Sequence, residues 1–453
     1  MSDTREDFIK SARPLAEALI DHAMTAGKAF GITDAKVSVS SGERQSNTVE
    51  QGEVTGVVSG RTCLVTVTLY AGDRVLSFSR NSLGKDILCR AITDNMAALA
   101  VVPENPAKRL LEKEKVHKGD DAALELYDAQ GAGQEELVAY AKEAESAALA
   151  VPNVKGARGV NISKRNSHNF VLATNGLDHH ESASMYQISA SMVAEDASGM
   201  QSDGEFGMAR HFSDLAAPKQ LGEAAGRNAL SKLGAVLPNT GEMPIVLNHD
   251  AAESFFSSVY DAIDGTAVHR GSTFLKGKVG QQVMNKDITL VDDPGIPRGL
   301  GSGVIDSAGL EAKKVTFVKD GVLQGYLANL MESRQLGIDP VGREDGSTNS
   351  YVAPGKVTPD ALIADIKEGI YVKGFMGGTI DVNDGTHSRQ AYGTLIKDGK
   401  ITDIAVDGFV VSGNLKDMFM NAAIANDTPP VPSTRHGLAA PTTRINGVTI
   451  AGK

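Results

Sequence analysis

The stretch Ile245–Gly265, IVLNHDAAESFFSSVYDAIDG, places a short apolar strand directly before an amphipathic helix. Its apolar residues recur at helical spacing, so one face of the helix is expected to pack into a core and hold the first turn rigidly. These residues are Ala252, Phe255, Phe256, Val259 and Ile263. His249 and Glu253 share one face. A zinc peptidase needs two imidazoles and a glutamate at such a place, and this stretch supplies a single imidazole.

The stretch resembles the TldD/PmbA family, in which one branch carries a His-Glu-x-x-x-His metal motif on a helix at this place and its paralogous branch does not. His249 matches the first histidine, whereas Asp250 stands at the glutamate and Ser254 at the second histidine. The likeness is therefore to the PmbA (TldE) branch. It extends to VDDPGIPRGLGSGVIDSAGLEAKKVTFVKDGVLQGYLAN (291–329), YVKGFMGG (371–378), VSGNLKDMF (411–419) and the terminal RINGVTIAGK.

The resemblance implies an α/β N-terminal domain, a β-rich C-terminal domain and a noncatalytic role. In this family, complexes of the two branches process peptide leaders and degrade small unfolded proteins. The TldD-like chain carries the zinc and the chemistry, while the other branch helps to enclose the substrate chamber. We therefore expect no cofactor in this chain, a heterodimer with a TldD-like zinc peptidase, a homodimer when the chain is alone, and an unfolded peptide as substrate.

Composition limits the classes of function. A chain of 453 residues is too long for one ordinary core, and two domains are expected. The net charge of -11 disfavours nucleic acid as a partner. The N-terminus has no uninterrupted apolar run, which argues against a signal peptide or membrane span. Cys63 and Cys89 have neither metal-ligand nor disulfide spacing, so both are interpreted as buried reduced thiols, in keeping with the cytoplasm.

The order of the predicted elements indicates an α+β fold. Helical periodicity occurs over 5–30, 87–101, 134–150 and 218–233, and short strand-like runs fill 34–79 and 158–195. The Gly- and Pro-rich passage LGAVLPNTGEMP places a boundary near residue 235, giving domains 1–235 and 236–453. The first is predicted to be a sheet flanked by helices. The second has many strands and few helices (327–336, 359–368 and 414–425), which favours a strongly bent sheet or partial barrel.

Two further hypotheses remain for the function. An autonomous metallohydrolase would use His249 and Glu253, with His269 from the following loop as a third ligand. Against it, the C-terminal half has no cysteine to complete a site, and a helix N-terminus explains the stretch without metal, because Asn248 or Asp250 can cap it. The other hypothesis is a noncatalytic homodimer that binds peptides or regulates another protein.

Three other patterns have ordinary explanations. His179 and His180 are neighbours on a predicted strand, where they point to opposite faces, so a solvent-exposed strand start is favoured over a metal site. Gly299-Leu-Gly301-Ser-Gly303 lacks the spacing and the lysine of a phosphate loop and is predicted to be a flexible turn. Ser302 and Ser307 have no G-x-S-x-G context, which argues against a serine triad.

Glycines beside apolar side chains form the last candidate site. They occur in the segment Phe375, Met376, Gly377 and Gly378 and in the pair Gly413 and Asn414. Such glycines suit either core β-turns or a sheet edge that receives an extended peptide. Core turns are favoured, and these six residues are the candidate contacts for a peptide or a partner chain.

Overall fold

The first half of the chain is built on one six-stranded antiparallel sheet. The computed structural model describes residues 5–119, 121–429, 431 and 437–453. Within them the strand order is β3-β2-β1-β4-β5-β6. The strands are β1 (Asp34–Glu50), β2 (Glu53–Ala71), β3 (Arg74–Arg80), β4 (Val154–Ala173), β5 (Asp178–Asp196) and β6 (Gly199–Ala209). The meander predicted over 34–79 is confirmed, and the β4–β5 hairpin turns at Gly176, where φ is 93°.

Four helices cover this sheet in two pairs. They are α1 (Arg5–Ala26), α2 (Lys85–Met96), α3 (Gln134–Leu149) and α4 (Pro218–Leu230). The first pair packs with β1 and β2 around Leu19, Ile92 and Phe170. The second pair packs with β4 and β5 around Ala144, Tyr186 and Ala225. The predicted sheet flanked by helices is therefore confirmed.

A second six-stranded sheet dominates the rest of the chain and curls back on itself. Its order is β14-β13-β12-β7-β17-β15, and β14 also pairs with β17, where Val411 is opposite Ile450. The strands are β7 (Gly241–Leu247), β12 (Glu368–Asp381), β13 (Thr386–Lys397), β14 (Lys400–Asn414), β15 (Ala422–Ile424) and β17 (Thr443–Ala451). This closure confirms the predicted strongly bent sheet or partial barrel.

A third, smaller sheet has the order β10-β9-β8-β11-β16. Its strands are β8 (Leu290–Asp292), β9 (Val315–Lys319), β10 (Val322–Leu323), β11 (Ser350–Val352) and β16 (Leu438–Ala439). The β9–β10 hairpin turns at Asp320 and Gly321, whose φ angles of 49° and 77° are typical of the two-residue turn that an Asp-Gly pair favours.

The helix α5 (His249–Ile263) is central to the core of the second half. Its buried apolar residues include all five predicted from the helical spacing. The other helices here are short: α6 (Gly265–Arg270), α7 (Leu330–Leu336), α8 (Pro359–Ile363) and α9 (Leu415–Met420). Three of them are shorter than predicted; the residues after α9, for example, leave the helix and form β15 against β17. None of the described helices is long and apolar enough to cross a membrane.

Candidate functional site

The first turn of α5 is fixed by its N-cap. The side chain of Asn248 accepts a hydrogen bond from the backbone N–H of Ala251 at 2.9 Å, which satisfies one of the free donors of the helix end. The backbone N–H of Asn248 donates to the carbonyl of Val372 on β12 at 3.0 Å. Asp250 is exposed and makes no capping bond. The cap predicted for this stretch is therefore made by Asn248.

His249 is paired with an acidic residue from a distant part of the chain. Its Nε2 lies 2.9 Å from Oδ2 of Asp427. That carboxylate also accepts hydrogen bonds from the hydroxyl of Thr442 at 2.7 Å and from its backbone N–H at 3.0 Å. Partial burial by itself raises the pKa of Asp427, but the hydrogen bonds from Thr442 and His249 together bring it below its usual range. The imidazole of His249 thus contacts a carboxylate that is held ionised.

Ser254 is hydrogen-bonded to an arginine side chain. It stands at the position of the second histidine of the metal motif. Its Oγ accepts a hydrogen bond from Nη1 of Arg389 on β13 at 2.7 Å. The guanidinium carbon lies 4.8 Å from the ring centroid of Phe375, and burial lowers the pKa of Arg389 from its usual value. Arginine is not deprotonated in proteins, so the group is charged. The positively charged guanidinium of Arg389 therefore lies directly beside Ser254.

Glu253 and His269 do not complete a metal site with His249. Glu253 is 3% exposed and accepts a hydrogen bond from the backbone N–H of Leu438 on β16 at 3.3 Å. His269 lies on α6, beyond the C-terminal end of α5, and a helix of this length separates its two ends by about 20 Å. Across the described residues, His249 belongs to no set of three His, Cys, Asp or Glu side chains with converging ligand atoms.

A narrow cleft of about 170 Å³ lies between the first turn of α5 and β6 of the first sheet. It is lined by Glu205, Phe206, Gly207, Met208, His249, Asp250, Glu253, Pro429, Leu438 and Ala440. Ligand pockets usually measure about 300–1,000 Å³, so this cleft holds a side chain or a few waters rather than a peptide.

The segment Phe375–Gly378 lies on a strand with one open edge. β12 pairs with β13 as far as Asp381, but β7 covers its other edge only from Ile370 to Val372. No described strand pairs with that other edge beyond Val372. The register shifts between Met376 and Thr379, where Gly377 and Gly378 have φ angles of 50° and 93°. A Cβ on residue 378 would lie 2.3 Å from the carbonyl oxygen of Ser388, so this β-bulge requires glycine.

Gly413 and Asn414 are the last two residues of β14 and pair with β13, which separates them from that edge. The side chain of Asn414 accepts a hydrogen bond from the backbone N–H of Lys416 and so caps α9, and it donates to the carbonyl of Asp384. A Cβ on residue 413 would lie 3.0 Å from the sulfur of Met418. Local packing accounts for these two residues, and contact of all six candidates with a peptide or partner stays a prediction.

The other patterns singled out from the sequence have mixed outcomes. The expected solvent-exposed strand start is wrong for His179, whose side chain is 13% exposed and whose Nε2 lies 3.0 Å from Oδ2 of Asp121. The turn at residues 299–303, predicted to be flexible, is held by a hydrogen bond: the N–H of Gly301 donates to the side chain of Asn349 at 2.8 Å. Ser302 is buried, and its hydroxyl donates to the carbonyl of Ile296.

No sequence pattern points to the residues that complete the α5 site. Arg389 is 135 positions from Ser254, and Asp427 is 178 positions from His249. Only the curled sheet brings them to the helix, because β13 and the segment before β17 both return to its first turns. Periodicity and spacing describe neighbours along the chain and carry no information about such pairs.

Comparison with known proteins gives consistent results over most of the chain. Residues 240–452 match the model of the PmbA/TldA metallopeptidase C-terminal domain, and residues 127–233 match that of the central domain. Metalloprotease PmbA of Escherichia coli O157:H7 is 25% identical over 449 residues, which cover 98% of each chain. A metalloprotease TldD homologue of Haemophilus influenzae is 29% identical over 316 residues, or 62% of this chain and 65% of that one.

Solved structures share the fold. A proposed modulator of DNA gyrase from Bacteroides thetaiotaomicron superimposes with a TM-score of 0.88 at 24% identity, covering 97% of this chain and 99% of that chain. TldE from Thermococcus kodakarensis superimposes with a TM-score of 0.82 at 20% identity, covering 97% and 100%. At these identities the likeness describes the architecture alone.

Proposed function

This chain belongs to the PmbA/TldD family, and from that premise we propose that it is a noncatalytic, TldE-like subunit of a metalloprotease complex. In this complex a TldD-like chain supplies the zinc and cleaves unfolded or modified peptides. The present chain contributes a wall of the substrate chamber and positions the peptide. The two free thiols, Cys63 and Cys89, suit a reducing compartment, so we place the complex in the cytoplasm.

The hydrogen bond between Arg389 and Ser254 carries the noncatalytic part of the proposal. A hydroxyl replaces the second imidazole ligand, and the guanidinium bound to it repels a divalent ion. At a separation of about 5 Å and an effective dielectric constant of about 20, this repulsion is about 7 kcal/mol. Metal ligands would have to overcome this repulsion, but among the described residues no set of three ligand side chains includes His249. A catalytic zinc at α5 is therefore disfavoured by charge as well as by ligand number.

The open edge of β12 supports the peptide-positioning part of the proposal. An extended peptide can add to a free strand edge through main-chain hydrogen bonds, which makes binding tolerant of side-chain sequence. The edge beyond Val372 carries the exposed residue Met376 and the glycine bulge at Gly377 and Gly378. A bulge at an edge twists the strand and limits pairing to short segments. Such an edge suits an unfolded substrate of variable sequence.

Relatives from both the PmbA and the TldD branch support the heterodimeric part of the proposal. The chain matches proteins named PmbA and a protein named TldD over long segments, so the two kinds of chain share much of their architecture. Chains of shared fold can assemble through equivalent surfaces, as the subunits of symmetric dimers do. Pairing of the chain with itself is the alternative when the TldD-like chain is absent.

Repair of the metal motif tests the noncatalytic proposal. We expect the double variant Asp250→Glu/Ser254→His to show no chelator-sensitive cleavage of an unstructured peptide, as we expect of the wild type. The imidazole replaces a small side chain packed against Arg389, so a loss of about 1–3 kcal/mol of stability should accompany the change. Zinc uptake should exceed that of the wild type only slightly, because no third ligand is in place.

Two control variants separate the reasons for this result. Asp250→Glu alone changes an exposed residue and should leave stability unchanged. Adding Arg389→Gln to the double variant removes the repelling charge, so zinc uptake should rise while cleavage stays absent. Cleavage by the double variant without any partner would mean that a third ligand already exists, and the chain would then have to be regarded as a recently silenced enzyme.

A further inference from the structure

A cluster of three side chains at the start of β5 lies far from α5. It consists of Asp121, His179 and Glu181, one ligand atom of each lying within 4.8 Å of those of the other two. His179 and Glu181 are two positions apart on a strand and so project from the same face, which adjacent residues cannot do. Nine residues of strand, about 30 Å, separate His179 from Ile188, whose partner on β6 is Gly207 in the α5 cleft.

Asp121 is directed into this cluster with an unsatisfied oxygen. The residue is 8% exposed, and its Oδ1 accepts a hydrogen bond from the backbone N–H of Val304 at 3.1 Å. Its Oδ2 is buried and lies 3.0 Å from Nε2 of His179, yet no hydrogen bond to this oxygen is formed among the described residues. Although the two atoms are close, their relative orientation is not that of a hydrogen bond. A bound ion or water is one of the explanations for a buried polar atom of this kind.

The separations within the cluster are short enough for its members to share one metal ion. Zinc binds imidazole nitrogen and carboxylate oxygen at about 2.0–2.2 Å, which in a tetrahedral site places neighbouring ligand atoms about 3.3–3.6 Å apart. A small outward movement of His179 or Asp121 from their 3.0 Å separation would admit the ion. The charges agree with this interpretation. Asp121 and Glu181 bring two carboxylates close together in a partly buried place, where a bound cation would offset their mutual repulsion. Arg210 is close, but its hydrogen bonds are made to the backbone carbonyls of Ser184, Gly299 and Leu300.

We propose that Asp121, His179 and Glu181 bind a divalent transition-metal ion of the zinc class, with water completing its coordination. One nitrogen and two carboxylate oxygens suit such an ion better than they suit a soft, thiolate-seeking metal. The ion would join β5 to the loop that carries Asp121 and, through the bond from Val304, to the glycine-rich turn region of the second half of the chain. Its role is to stabilise the fold, and it is separate from the α5 motif, for which no metal is proposed.

The test uses the full-length chain, stripped with a chelator, loaded with zinc chloride and dialysed against metal-free buffer. Mass spectrometry of the metal content should give about one zinc per chain. His179→Gln and Asp121→Asn should each lower the retained zinc at least tenfold. His180→Gln is the matched control, because it removes the adjacent imidazole and should retain the ion. His249→Gln should also retain it, which distinguishes this site from the α5 motif.

The thermal midpoint supplies a second measurement, which for the wild type does not depend on any variant folding. Zinc should raise the midpoint of the wild type and of His180→Gln, and Glu181→Gln should abolish most of that increase. Absence of bound zinc in the wild type at micromolar concentration, with no change in its midpoint, would overturn the proposal. So would equal retention by His179→Gln, or loss of the ion in His249→Gln.

Discussion

Replacing Arg343 by methionine is expected to lower the free energy of unfolding by about 3–5 kcal/mol, because it leaves a carboxylate buried without its counter-charge. Arg343 and Asp292 have no exposed side-chain surface, and Nε of the arginine donates to Oδ1 of the aspartate at 2.6 Å. The other oxygen of Asp292 accepts hydrogen bonds from the N–H of Thr348 at 2.8 Å and the hydroxyl of Ser350 at 2.7 Å. The guanidinium also donates to the carbonyls of Gly342 and Lys313.

The ion pair thus links two parts of the chain. One is the turn-rich segment that begins at Asp292, and the other is β11 with the loop before it. Urea unfolding measures the effect, with Arg227→Met as control. Arg227 forms an exposed pair with Glu223 on α4, so its loss should cost less than about 1 kcal/mol. Equal stability of Arg343→Met and the wild type would show that the segment is held by its backbone contacts alone.

A second large effect is expected at the centre of α5. Phe255→Ala should lower the free energy of unfolding by about 3–5 kcal/mol, because it removes a fully buried ring and leaves a cavity. The ring centroid of Phe255 lies 4.8 Å from that of Phe419 and 5.2 Å from that of Phe256. Phe255 also faces the buried His387, whose ring centroid is 6.5 Å away. These contacts set the orientation of the helix that carries the degenerate motif.

The matched control for this variant is Phe30→Ala, since that ring is 45% exposed. Its loss of stability should be less than half of that at Phe255, because nearly half of the residue stays in water on folding and its removal leaves no enclosed cavity. Thermal unfolding followed by circular dichroism compares the two variants. A smaller loss at Phe255 than at Phe30 would mean that α5 is not the organising element of the second core.

Much of the architecture was predictable from local patterns. The spacing of Ala252, Phe255 and Val259 predicts α5 and its buried face, because a helix repeats its environment every three to four residues. The Asp-Gly pairs at 320–321 and 398–399 predict tight hairpins, and both form with positive φ angles. The runs of β-branched residues predict the bent sheet of the second half. The proposed boundary near residue 235 stays a prediction.

Strand lengths and side-chain pairs were less predictable. The sequence predicts several short strands over 158–195, but β4 alone continues from Val154 to Ala173. The intervening polar residues Asn166 and Ser167 stay in the ladder because β1 and β5 pair with them on both sides. The environment of His179 was predicted wrongly for a related reason: its partner Asp121 comes from a loop that only the tertiary fold brings close.

Cleavage by the reconstituted pair tests the central claim most directly. A TldD-like zinc peptidase chain is assayed on an unstructured peptide alone, with this chain, and with this chain carrying Gly378→Val, which disrupts the bulge at the open β12 edge. Light scattering verifies that the mixed dimer forms in each case. The proposed division of roles between the two chains predicts chelator-sensitive cleavage by the mixture, none by this chain alone, and reduced cleavage with the bulge variant. Equal cleavage by the TldD-like chain with and without this chain, or chelator-sensitive cleavage by this chain alone, would contradict it.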